Sequence, residues 1–214
     1  MAISLPNGAI VSLAATYAAS ANITAISNAA AAVVTATNTL SAGDYVEITS
    51  GWSRLDKKVV RVSAASGTTF TIEGYDTTST TIYPVGGGVG SFRKILTWTQ
   101  LSQILSSSSS GGEQQFLEYQ LLEGDSQKRI PTTKSAAGLS FSVGDDPTLA
   151  GYILALAAND DRLPRAAKID LPSAAKILYN AYVSLNKTPS LTVNEIMACE
   201  VTLSLLAEPV RYAS

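Results

Sequence analysis

Alternation of apolar and polar residues with a period of two dominates this chain. An extended backbone turns successive side chains to opposite faces, so this pattern predicts half-buried strands. Ala9-Ile10-Val11-Ser12-Leu13 is the first such run, entered through the turn Pro6-Asn7-Gly8. Short runs follow at Ile23–Ile26, Ala32–Thr35, Tyr45–Thr49, Val59–Ser63, Phe70–Glu73 and Ser91–Ile95. Turns at Ser66-Gly67, Tyr75–Thr80 and Gly86–Gly90 separate some of them. Strands at that spacing predict a small β-barrel or sandwich over residues 22–95.

Farther along, Lys94–Leu105 carries Trp98, Leu101 and Ile104. The run Ser106–Ser110, with Gly111 and Gly112 behind it, offers nothing to a core and predicts a flexible loop. Gln114–Leu122 alternates, with Leu117, Tyr119 and Leu121 on one face and Glu118 and Gln120 on the other. Phe116 is the exception on the polar face. Glu123–Ser126 predicts a turn and Lys128–Lys134 a polar return strand, in which Pro131 marks an edge or a bulge. Leu139, Phe141 and Val143 predict another strand. Asp146 and Pro147 then read as N-cap and first position of the chain's one convincing helix, with Leu149, Tyr152, Ile153 and Leu156 on a single face. A hairpin across Pro172-Ser173 and a strand over Met197–Leu206 complete the pattern.

Composition narrows the chemistry. Among 214 residues only 15% are charged, against roughly 25% in ordinary soluble domains, and the net charge is −2. Large neutral surfaces of this kind suit burial against copies of the same chain, and the balance argues against unspecific DNA binding. Histidine is absent, which removes zinc hydrolysis and every histidine-activated nucleophile. The single cysteine, Cys199, allows no intrachain disulfide and reads as a small core hydrophobe. Gly86–Gly90 lacks the Gly-Lys-Ser/Thr that completes a phosphate loop. Asp145-Asp146 and Asp160-Asp161 do not match a calcium loop, and Trp52 and Trp98 read as core. No catalytic, metal-binding or cofactor-binding residue is expected, and the chain does not read as an enzyme. No stretch reaches the length of a membrane span, and the apolar Leu13–Ala21 lacks the basic flank of a signal peptide. Assembly in a cytoplasm is the expectation.

The ordered set of motifs resembles the major tail tube proteins of long, noncontractile-tailed bacteriophages. The resemblance rests on Leu5-Pro6-Asn7-Gly8, Gly112–Phe116, Ile130-Pro131-Thr132, Leu139–Asp146 leading into the helix, Asp160–Arg165, Leu178–Ser184 and the strand to Pro209. It implies a mainly β fold, a tail-tube-type β-sandwich or barrel with one flanking helix and a long assembly hairpin. That tube domain would comprise residues 1–21 and 96–214. Residues 22–95 resemble a small β-module that recurs in phage structural proteins, here inserted and placed on the outer wall. The implied function is structural: hexameric rings stack into the tail tube of the virion, assembled in the host cytoplasm, and DNA passes through the lumen. Implied partners are further copies of the chain and the tail terminator, tape measure and tail tip proteins, with no membrane.

Within that reading, Glu113, Phe116, Leu117, Tyr119, Leu121, Lys128 and Arg129 are the inter-subunit hairpin residues. Glu118 and Gln120 are expected to face the lumen. Ser106, Ser108, Ser110, Gly111 and Gly112 are expected as a stacking loop that orders when a ring docks. Two other readings remain: another virion component, such as a terminator, decoration or fibre protein, and a receptor- or glycan-binding module displaying Tyr45, Trp52, Tyr75 and Tyr83.

Overall fold

The computed structural model describes residues 7–213, so Leu5 and Pro6 of the expected opening segment lie outside it. The fold is mainly β, with one helix among the described residues. Its strands are β1 (Ile10–Tyr17), β2 (Ala21–Ile23), β3 (Ala25–Ile26), β4 (Val33–Thr35), β5 (Tyr45–Ser50), β6 (Lys58–Ala65), β7 (Thr69–Ile72) and β8 (Gly90–Leu101). Then come β9 (Ile104–Ser110), β10 (Gln114–Tyr119), β11 (Lys128–Lys134), β12 (Gly138–Gly144), the helix α1 (Ala150–Asp161), β13 (Arg165–Asp170), β14 (Lys176–Leu185), β15 (Ala198–Leu205) and β16 (Val210–Tyr212).

Pairing in the first part of the chain runs in a ring. β2 pairs with β8 and β3 pairs with β4, while β8, β5, β6, β7 and β4 are neighbours in that order. The path therefore returns to the short β2–β3 segment it left. Val46, Ile48, Trp52, Leu55, Phe70 and Ile72 fill its interior.

β8 is long enough to belong to two assemblies. Its first half pairs with β5, and its second half pairs with β1. From β1 the sheet continues through β13, β14, β15 and β12 to β9. Period-two alternation sorts the residues of β1, β13 and β14 into two cores. Leu13, Ala167 and Tyr179 enter one, which also holds Phe141, Val143, Val201 and Leu203. Ala14, Ala166 and Leu178 face the other way, onto Val59, Ile95 and Tyr212. The molecule is thus layered: the small β-ring, then the β1–β13 layer, then the main core, then the β15–β12–β9 layer. α1 packs on β14, β8 and β1 and delivers Tyr152, Ala155 and Ala158 to the main core. Gly151 is required there, because a Cβ would lie 2.4 Å from the Gln100 carbonyl oxygen.

Several expectations change at this level. Ser106–Ser110 is strand β9, not a flexible loop, paired in register with β12 from Ser106↔Ser142 to Ser110↔Gly138. Serine is a poor filler of cores, but a strand whose face is solvated needs none; the partner strand supplies the hydrogen bonds that a loop would lack. Asp146 does not cap α1. Its carboxylate accepts from the Thr148 backbone N–H at 3.0 Å and so closes the turn before the helix, whose N-cap is Leu149 without a side-chain bond. The helical face is rotated from the expected one, since the glycine and alanine positions 151, 155 and 158 are buried while Ile153 is exposed. The small residues admit close approach to β8, which a face of large aliphatics would prevent.

Candidate functional site

The segment from β9 to β12 is one long arm. β9 pairs with β12 at its base, and β10 pairs with β11 at its tip. Between the two, Gly111 and Gly112 take φ of +72° and +78°. A Cβ at Gly111 would stand 1.8 Å from the Ala136 carbonyl oxygen, so only glycine fits this kink. The ladder persists through it: the Gly112 N–H donates to Ser135 O at 3.3 Å and the Ser135 N–H to Glu113 O at 2.9 Å.

Beyond the kink, β10 and β11 form a sheet of their own and pair with no other strand among the described residues. All seven residues of β11 are exposed. Leu117 stands directly opposite Ile130, and the two are 58% and 48% exposed. Phe116, on the other face, is 54% exposed. Glu118 faces Arg129 across the strands and forms an ion pair at 2.5 Å. Tyr119 pairs with Lys128 and ends the strand. Gln120 and Leu121, expected in the strand, lie in the turn instead. The Gln120 side chain donates to the Gly124 carbonyl oxygen at 3.1 Å, which draws the chain out of register. Glu113 sits at the base, where its backbone N–H donates to the Ser135 hydroxyl. Lys134 closes the base with an ion pair to Glu208. The structure therefore brings the hairpin residues together as an exposed apolar and ion-paired arm, with no core beneath it among the described residues.

A second surface escaped the sequence reading. The outward face of β9, β12, β15 and β14 is built of registered rows. Ser106 faces Ser142, which faces Glu200. Ser108, Ser140, Thr202 and Ser184 form the next row, and Ser110, Gly138, Ser204 and Tyr182 the third. The Ser140 and Thr202 hydroxyls are 3.2 Å apart. The opposite face of the same strands carries Phe141, Val143, Cys199, Val201 and Leu203 into the core. The signal was present as Ser140 and Ser142 in β12 and Thr202 and Ser204 in β15, but the unbroken run in β9 hid its period.

Cys199, Trp52 and Trp98, expected as core, take the following positions. Cys199 is buried, and burial pushes its thiol pKa up. Trp52 is buried with its indole N–H donating to Pro84 O at 2.8 Å, and Tyr83 is buried against it. These two cannot join Tyr45 and Tyr75 in an exposed aromatic patch. Trp98 is half-buried and meets Tyr45 edge-on, under the Lys168 ammonium. Asp161, at the unfavourable end of α1, pairs with Arg165 at 2.6 Å. Among the described residues, no group of three His, Cys, Asp or Glu side chains is placed to hold a metal ion, and no helix is long and apolar enough to cross a membrane.

The subunit is mainly β, and among the described residues its arm is exposed and one edge of β9 is unpaired. The sequence profile of the family described as phage tail tube protein, TTP, matches residues 50–214, and the chain belongs to that family. It is thus a structural component of a virion tail. No curated protein matches the chain. Among the solved structures similar to it are three that cover 50% of it. One, from the sheath–tube complex of an extracellular contractile injection system in the extended state, is 19% identical over 80% of that chain, with a TM-score of 0.38. Another, from the sheath/tube terminator of such a system, is 19% identical over 84% of that chain, TM-score 0.38. The third, the tube-terminating cap of the anti-feeding prophage, is 21% identical over 79% of that chain, TM-score 0.37.

Proposed function

We propose that this protein polymerises as stacked hexameric rings into a tail tube through which DNA is delivered to the host. Subunits assemble in the host cytoplasm, and the finished tube meets terminator, tape measure and tail tip proteins at its ends and along its bore. Residues 22–95 form the inserted module and stand on the outer wall.

The observation that carries this reading is the β10–β11 arm. Backbone pairing to a neighbour contributes about 0.5–1.5 kcal/mol per hydrogen bond, hence several kcal/mol for a strand of roughly five residues. Association costs about 4–15 kcal/mol, so pairing alone is marginal. Fully burying a large apolar side chain adds about 1.5–3 kcal/mol, and the hairpin exposes five, Phe116, Leu117, Leu121, Leu122 and Ile130. Docking them on a neighbouring copy tips the balance toward assembly. Contacts that rotate about an axis close rings, and head-to-tail contacts stack them without limit. Negative-stain microscopy of the purified chain tests this: rings or tubes with an axial hole are expected, and solid particles or fibres without a bore overturn it.

A further inference from the structure

We infer that the tip of the arm, residues 121–125, seats in a groove at the arm base of a second copy, where apolar walls take its leucines and a cation cluster contributed partly by the small β-ring takes its acids. The inference rests on the tube reading and adds to it which surface receives the arm.

The tip is apolar and acidic at once. Leu121 is half-exposed and Leu122 fully exposed. Turn chemistry asks for glycine and small polar residues, so two leucines here answer to something outside the turn. Glu123 and Asp125 are exposed beside them, and the arm's ion pairs, Glu118 with Arg129 and Lys134 with Glu208, leave both out. The groove lies where the arm leaves the sheet. It encloses about 500 Å³ and is lined by Ala136, Ala137, Leu205, Leu206, Ala207 and Pro209, with the Lys134–Glu208 pair beside them. Sites that bury a small ligand span roughly 300–1,000 Å³, so there is room for two aliphatic side chains.

Charge matches as well. Arg54 and Lys58 of the small β-ring stand close enough to act on the Glu208 carboxylate, which Lys134 chiefly, and then these two, hold below its usual value. Lys58 lies over the Tyr75 ring, 5.4 Å from its centre, and burial, with Arg54 and Lys134 nearby, pushes its ammonium pKa down. Three cations therefore share one acid, and the groove is positive where the tip is negative. The tip cannot reach the groove of its own copy. Lys134 pairs with Gln114 at the base of the arm, and Lys128 pairs with Tyr119 at its far end. Residues spaced at about 3.4 Å along the strand between them put the tip roughly 20 Å away. A tip in this groove thus belongs to another copy, and two complementary patches at different places on one chain make a contact that repeats from copy to copy.

Cross-linking of the full chain tests the seat. Leu122→Cys with Leu206→Cys puts one thiol on the tip and one in the groove, while buried Cys199 stays silent. A disulfide needs Cα atoms within about 7 Å, so this pair cannot close inside one copy. Mild oxidation of the assembled double variant is expected to give a ladder of dimer and higher bands on non-reducing gels, and neither single variant a ladder. Hollow tubes without a ladder overturn the inference and keep the tube reading. A ladder from particles without a bore keeps the groove and overturns the tube. Charge reversal is an independent readout. Glu123→Lys and Arg54→Glu alter exposed side chains, so each is expected to melt with wild type. Each is expected to assemble about tenfold more slowly at low salt, followed by light scattering, and the two together to regain most of the wild-type rate. Single variants that assemble at the wild-type rate, or a combination as slow as either one, contradict the seat.

Discussion

Single residues decide the shape of the arm and the acid behaviour of the fold. Gly111 holds φ at +72° with no room for a Cβ. Gly111→Ala is expected to lower stability by at least about 1–2 kcal/mol, the cost of a left-handed backbone alone, and to prevent assembly. Urea titration and microscopy read the two effects. Asp161 accepts from the Leu163 backbone N–H at 2.8 Å and pairs with Arg165, and both hold its carboxyl below the usual value. The unfolded chain then binds the proton more tightly, so this stabilisation is complete above about pH 4 and fades as pH falls through the native value. Asp161→Asn is expected to lower Tm at neutral pH, with the gap to wild type closing in acid. A gap that stays constant down to pH 2, measured by thermal melts across roughly pH 2–7, contradicts it. The histidine-free composition and the core role of Cys199 were legible in the sequence because residue chemistry is independent of the fold. The buried faces of Trp52 and Tyr83 were legible only as a tendency, since burial depends on what the ring of strands encloses.

At the scale of elements, strands with clean alternation were readable. β5, β7, β12 and β15 appear where the pattern put them, because one buried face imposes the period. Where no apolar face exists, the period vanishes from the sequence. Ser106–Ser110 is a strand held by its partner β12, a relation between distant residues that local pattern cannot express. The helix was readable but its face was not, for Gly151, Ala155 and Ala158 are buried by backbone proximity rather than by hydrophobic bulk. The hairpin was readable to Tyr119 and then lost, where the Gln120 side chain ends the strand. This element carries the sharpest stability contrast. Leu117→Asp with Ile130→Asp alters two exposed side chains, and exposed substitutions usually change stability by no more than about 0.5 kcal/mol. The double variant is expected to melt with the wild-type subunit yet form no tubes. Wild-type tube formation would show that the arm's apolar pair does not join subunits.

For the whole molecule, one strand, one apolar cluster and a set of polar contacts bind the two parts. β8 runs from the small ring into the main sheet. Asn180, buried on β14, donates to the Glu47 carboxylate at 3.1 Å and to Lys57 O at 2.9 Å, and Arg93 donates to the same carboxylate. Tyr212 of β16 accepts from the Arg61 N–H at 2.8 Å, and burial pushes its phenol pKa up to about 12. The small unit is therefore fixed to the main one, not tethered to it. In the proposed tube, copies join through the arm from Glu113 to Lys134. A cryo-EM reconstruction of the assembled particle tests it most directly. The account predicts hollow tubes in which Leu117 and Ile130 of each copy are buried against a neighbour. A map in which that hairpin touches only its own subunit would contradict it.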